Sequence, residues 1–151
     1  MKLFKNTLIA IVGFSFFIIH SSFTTIEPTK ITWDSLKDVN FKKKWYPEES
    51  VYMLYPTFGP SITKLDGKEI SIKGYVIPVD LESGVYVLSA YPNSMCFFCG
   101  AAGPESIMAL KFKKAKRYKT DEVHTFRGKL KLNANDIYEL NYILNDAEMI
   151  D

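Results

Sequence analysis

A chain of 151 residues has the length of a single domain. Its hydrophobic fraction of 47% and charged fraction of 24% are those of an ordinary globular protein, which excludes a disordered or fibrous chain. The formal net charge of +2 owes its sign to Lys2 and Lys5, because without them the remaining basic residues equal the 17 acidic ones in number, and this removes the electrostatic case for nucleic acid.

Those two lysines open a leader-like segment. They precede the unbroken apolar run Leu8–Ile19, "LIAIVGFSFFII", which is too short to span a bilayer comfortably and has the length of a signal-peptide core. Small polar residues follow in "HSSFTT". The pattern predicts a signal peptide over residues 1–23, with cleavage at 20–25 and export to a periplasmic or secreted location. An uncleaved N-terminal anchor is the other reading. No cysteine lies in this stretch, so a lipoprotein anchor is excluded.

Residues 24–60 read as an N-terminal extension packed on the main domain. Within it, "ITWDSLKDVNFKKKW" (31–45) has helical spacing: Leu36 and Val39 are three apart, Phe41 and Trp45 four apart, Thr32 or Asp34 can cap, and Pro47 ends it. The aromatic segment "VYMLYPTFGPSITKL" is broken by Pro56 and Pro60, which predicts a short edge strand and a packed loop. Trp45, Tyr46, Tyr52, Tyr55 and Phe58 are expected to pack in the core or cap it, with a ligand-binding lip as the alternative.

Residues 61–151 carry the strand signals. Asp66-Gly67 reads as a hairpin turn between "SITKL" and "KEISIKGYVIPVD". In the latter, Ile70, Ile72, Gly74 and Val76 share one face and Ser71, Lys73, Tyr75 and Ile77 the other. The strand turns from half-exposed to apolar on both faces at Gly74, as a strand coiling around a small barrel does. Strands are predicted at 85–91 and 106–112, and again at 124–132. In that last stretch Phe126, Gly128, Leu130 and Leu132 alternate with Arg127, Lys129 and Lys131. "IYELNYILNDAEMI" fits helix or strand, and strand is favoured. The whole predicts a mainly β fold, a small OB-like five-stranded barrel with a helical or irregular N-terminal extension.

The stretches "LDGKEISIKGYVIPVD", "YVLSAYPNSMCFFCGAAGPES" and "HTFRGKLKL" resemble the exported proteins grouped as domain of unknown function 3299, over roughly residues 31–146. The most specific part is a Gly-Tyr-x-x-Pro strand followed by a cysteine-bearing loop before a strand. Other branches of that family carry Cys-x-His and a proline run at this loop, so the resemblance sets Cys99 where a histidine stands. Thiolate and imidazole replace one another as zinc or copper ligands but not as disulfide partners, so the resemblance leans towards a metal. It assigns no activity.

Read on their own chemistry, Cys96 and Cys99 form a C-x-x-C knuckle, half of a tetrahedral zinc site. With His20 in the leader, His124 is the one histidine left. A closed site on Cys and His alone is therefore out of reach, and a carboxylate, water or partner must complete it. His124 shares the parity of Phe126, so it faces inward and can approach the cysteine loop as a third ligand. The plainer reading is a strand-end histidine bonded to backbone.

A Cys96–Cys99 disulfide is the structural alternative, contributing only about 2 kcal/mol for so short a loop. Thiol-redox chemistry is disfavoured, because "GAAGPES" after Cys99 is not a helix and no βαβ unit surrounds it.

Lys111, Lys113, Lys114, Lys116, Arg117 and Lys119 make a basic loop beside Tyr118, read as a solvated loop or as a patch for an anionic surface or acidic partner. No acid pair, Ser/His/Asp order, phosphate loop or H-E-x-x-H is present. The sequence therefore predicts a non-catalytic binding protein that takes zinc or copper on Cys96 and Cys99. A disulfide-pinned adaptor docking on an envelope or membrane partner is the second reading, and a thiol-redox protein the third.

Overall fold

Alternation at period two, interrupted at two glycines, closes the sheet of this protein. The computed structural model describes residues 27–114 and 116–151; the leader read from residues 1–23 lies outside them. In chain order the strands are β1 (Thr29–Lys30), β2 (Val39–Tyr46), β3 (Val51–Phe58), β4 (Glu69–Asp80), β5 (Val85–Ser89), β6 (Ile107–Phe112), β7 (Val123–Leu132) and β8 (Tyr142–Met149). Among the described residues no helix is long and apolar enough to cross a membrane.

Five strands make the barrel, in the order β4-β5-β6-β8-β7, with β7 pairing back onto β4. The β6–β8 pair is parallel and the other four are antiparallel. That circular order with one parallel pair is the topology of an OB barrel, as the strand spacing predicts.

The long strand β4 serves two neighbours: Glu69–Tyr75 pair with β7, and Tyr75–Asp80 pair with β5. Gly74 sits at this handover, where a Cβ would lie 2.6 Å from the Ser89 carbonyl oxygen. Gly128 plays the same part on β7, where a Cβ would lie 2.5 Å from the Asn145 oxygen, within the β7–β8 register shift between Arg127 and Lys129. At both places the strand can curve inward only because no side chain intervenes.

The inner faces fill the barrel, so no channel remains. Ile70, Ile72, Val76, Leu88, Met108, Phe126, Leu130 and Leu144 are all buried in one cluster. At one end Tyr142 donates its hydroxyl to the Leu36 carbonyl at 3.0 Å, and Leu36 and Ile62 close the opening. At the other end Tyr86, Phe112, Tyr118 and Phe126 pack ring against ring at 5.4–5.8 Å.

The N-terminal extension reaches the barrel through Ile31, Leu36 and Phe58, but its conformation differs from the expectation. Only Trp33–Leu36 is helical, a single 3-10 turn, and 39–46 is a strand in an eight-pair antiparallel hairpin with β3. Val39, Phe41 and Trp45 fit both the helical spacing and a two-residue alternation, and the partner strand decides between them. The aromatic cluster is likewise corrected: Phe58 joins the core, while Trp45 and Tyr52, edge to face at 5.0 Å, are 50% and 61% exposed.

Asp66-Gly67 is a turn but not a hairpin. Pro60–Thr63 forms one helical turn (α1), started by Pro60 and capped from Asp38, whose carboxylate accepts the Ser61 amide at 3.0 Å. Gly67, at φ +73°, then turns that helix into β4. The last element is a strand, beginning at Tyr142.

Candidate functional site

Part of the outer face of the barrel, across β4, β5, β6 and β8, is apolar and buried. Registers place Ile77, Val87, Ala109 and Ile143 in one row across β4, β5, β6 and β8, with Tyr75, Ser89 and Ile107 in the next. Ile77, Val87, Ile107 and Ile143 are buried yet lie outside the interior cluster, so something covers them. Beside them runs the β5–β6 connection, residues 90–106, whose Cys96 is fully buried.

That loop holds three 3-10 turns, Asn93–Met95, Phe97–Cys99 and Pro104–Ser106, with Cys96 extended between the first two and Gly100 ending the second at φ +73°. The Asn93 amide donates to Asp121 at 2.7 Å, which ties the loop to the start of β7. Asn93 also organises the thiols. The Cys99 thiol donates to its carbonyl at 3.2 Å, and the Cys96 thiol lies 3.9 Å from its side-chain oxygen.

Both cysteines are free, Cys96 buried and Cys99 exposed. Partial desolvation, and then the neighbouring Cys96 sulfur, push the Cys99 thiol up from its ordinary value.

His124 is placed elsewhere. It pairs with Gly74 across the β4–β7 ladder, and its ring lies between Glu122, 3.4 Å from Nε2, and Asp151, 3.4 Å from Nδ1. Tyr118, at 5.6 Å between centroids, packs against it. Its parity with Phe126 is as read, but both nitrogens face carboxylates at the aromatic end of the barrel. Among the described residues no group of three or more His, Cys, Asp and Glu side chains is arranged to hold a metal. A metal at this loop would find two thiols with the oxygens of Asn93 beside them. Copper(I) accepts such a small set of soft ligands, whereas zinc needs further ligands from water or a partner.

The basic loop is partly neutralised. Lys111 pairs with Glu139, and Lys113 lies 3.4 Å from Glu148, which Arg127 also holds at 2.7 Å. Lys116 lies over the Tyr118 ring at 5.2 Å, and Lys114, Arg117 and Lys119 are exposed. Arg127 and then Lys113 hold the Glu148 carboxyl below its ordinary value. A lowered folded-state value gives stability that is complete above the ordinary carboxylate range and lost as pH falls through the lowered value. Glu148→Gln should therefore flatten the acid limb of Tm against pH. A variant whose acid limb overlays the parent's would show that these pairs contribute nothing.

A cleft of about 290 Å³ opens beside the cysteine loop. Tyr52–Tyr55 of β3 form one side, the β7–β8 connection at 134–141 the other, and Phe97, Pro104 and Ile107 line the base. Sequence reasoning missed it, because its three walls come from segments far apart in the chain. Asn133, the residue that shapes the second wall, gave no signal beyond its place after a strand.

No family model and no curated protein matches the sequence. Among solved structures, a domain of unknown function 3299 family protein from Pseudomonas aeruginosa PAO1 is similar with a TM-score of 0.52. The match covers 83% of this chain and 97% of that one, at 16% identity. This chain has that protein's fold. At so low an identity the likeness extends to the fold and not to ligands or partners.

Proposed function

We propose that this chain is an exported, non-catalytic binding domain that holds a soft metal ion, copper(I) or zinc, between Cys96 and Cys99. The observation that carries the proposal is the convergence of both free thiols on Asn93 in a loop tied down at Asp121. A filled barrel without a catalytic group in its interior favours binding over turnover. Export rests on Lys2, Lys5 and the apolar run Leu8–Ile19, and the partner is an envelope or membrane protein met in that compartment. In the second reading, an oxidant of that compartment joins the two sulfurs, and the loop serves only as a pinned docking element.

Titrating the reduced protein with copper(I) against bicinchoninate, and with zinc against a chromophoric indicator, tests this. We expect about one ion per chain, with affinity falling steeply as pH drops because both thiols must lose protons. Cys96→Ser and Cys99→Ser should each lose far more than the roughly 10- to 100-fold that outer-sphere changes cost. His124→Ala should bind like the parent, because its ring sits between Glu122 and Asp151. Reduced protein that ignores both metals would end the proposal.

A further inference from the structure

The cleft beside the cysteine loop presents a strand edge. Among the described residues β3 pairs only with β2, through eight residues without a bulge. Four successive residues, Tyr52–Tyr55, line the cleft. Neighbouring residues of a strand point to opposite faces, so a space lined by all four is faced by the backbone edge itself.

Exposed edges are normally blunted by charge, proline or a bulge, because free amides and carbonyls recruit other strands. The hairpin protects its two edges unequally. β2 carries Lys42, Lys43 and Lys44 in succession, whereas Val51–Tyr55 holds five uncharged residues before Pro56.

The opposite wall is held by side-chain hydrogen bonds. Asn133, 7% exposed, donates its amide to the carbonyls of Asp136 at 2.7 Å and Glu139 at 3.1 Å, and accepts the Asp136 amide at 2.9 Å. Tyr138 donates to Glu49 of the hairpin turn at 2.8 Å, joining the two walls at one end. The lining itself has no basic residue, while Lys43 and Lys44 of β2 lie over its Tyr52 and Tyr55 rings at 5.0 and 4.8 Å. Of its two acids, Glu139 is paired with Lys111 and Asp136 is in no ion pair among the described residues. Glu48 and Glu49 add two more such carboxylates at the hairpin turn.

We infer that this cleft takes an extended peptide segment of a partner protein as a third strand beside β3, with apolar side chains in alternation and a Lys or Arg near the hairpin turn. Main-chain hydrogen bonds to β3 give the affinity, and the side pockets and the acidic end give direction and selectivity. Four β3 residues span about 13 Å, room for a strand of about four residues at the usual spacing of about 4.8 Å. The carboxylates at the turn favour a basic peptide over an anionic lipid surface.

Panning a phage-displayed library of random dodecapeptides on the purified protein tests the site. Enriched peptides should alternate apolar residues and carry Lys or Arg at one end. Adding one as a synthetic peptide should slow hydrogen exchange at the Tyr52–Tyr55 amides by on the order of tenfold or more. Leu54→Lys, an exposed change that charges the edge, should lower affinity at least about tenfold. Asp136→Asn, which keeps the oxygen that accepts the Tyr138 amide, should weaken binding most at low salt. Four results would overturn the inference: no enriched peptide; enriched peptides that leave those amides unprotected; a self-associated protein whose Tyr52–Tyr55 amides are already protected by a second copy; or binding to phosphatidylserine vesicles, lost in Leu54→Lys, in place of peptide binding.

Discussion

Leu130→Asp is expected to leave the domain unfolded at room temperature, whereas Lys129→Asp should fold. Leu130 is fully buried in the barrel cluster and pairs with Leu144 across β7–β8. An aspartate there either loses its hydration as an unpaired charge or takes up a proton to avoid it. Either way the cost is several kcal/mol, comparable with the roughly 5–15 kcal/mol that stabilises a domain. Lys129 is the next residue on the outer face and is exposed. Its replacement sets a second carboxylate opposite Glu69, a like-charge pair worth no more than about 1 kcal/mol. Circular dichroism melts of the two variants separate these outcomes, and equal tolerance would mean that the facing of β7 is wrong.

Gly74→Val should be far more damaging than the same change at an open glycine. A Cβ there meets the Ser89 carbonyl oxygen at 2.6 Å, Leu88 Cγ at 2.9 Å and the Trp33 ring at 3.0 Å. The first of these is backbone and cannot rotate away, so β4 must part from β5 at the point where it changes partners. Overpacking of this kind costs about 1–3 kcal/mol or more, and the loss of barrel closure adds to it. Gly84 is the control. It lies at φ +70° in the β4–β5 turn with nothing within 4 Å, so Gly84→Val bears only the backbone strain of about 1–2 kcal/mol. Urea midpoints should therefore fall further for Gly74→Val. The reverse order would remove Gly74 from the closure of the barrel.

The strands of the barrel were legible because each alternates against a filled interior. Ile70, Ile72 and Val76, or Phe126 and Leu130, announce an inner face from the sequence alone. The hairpin at 39–58 was not legible. Its residues fit two periods, and only pairing with a second strand selects one. Asp66-Gly67 misled because the same dipeptide that closes a hairpin also turns a one-turn helix into a strand.

The candidate site divides in the same way. The cysteine pair is local in sequence and was visible there. The place of His124 depends on Asp151, at the other end of β8, and no local pattern could supply that. The cleft and Asn133 depend on three distant segments meeting, which alternation does not encode.

Counting thiols and metal on protein isolated from its native compartment decides what Cys96 and Cys99 do. About one copper or zinc per chain is expected, with both thiols slow to react until a chelator removes the metal and two free thiols appear. Protein that arrives without metal, with no titratable thiol before or after chelation and two thiols only after reduction, would contradict it and leave the loop pinned by a disulfide.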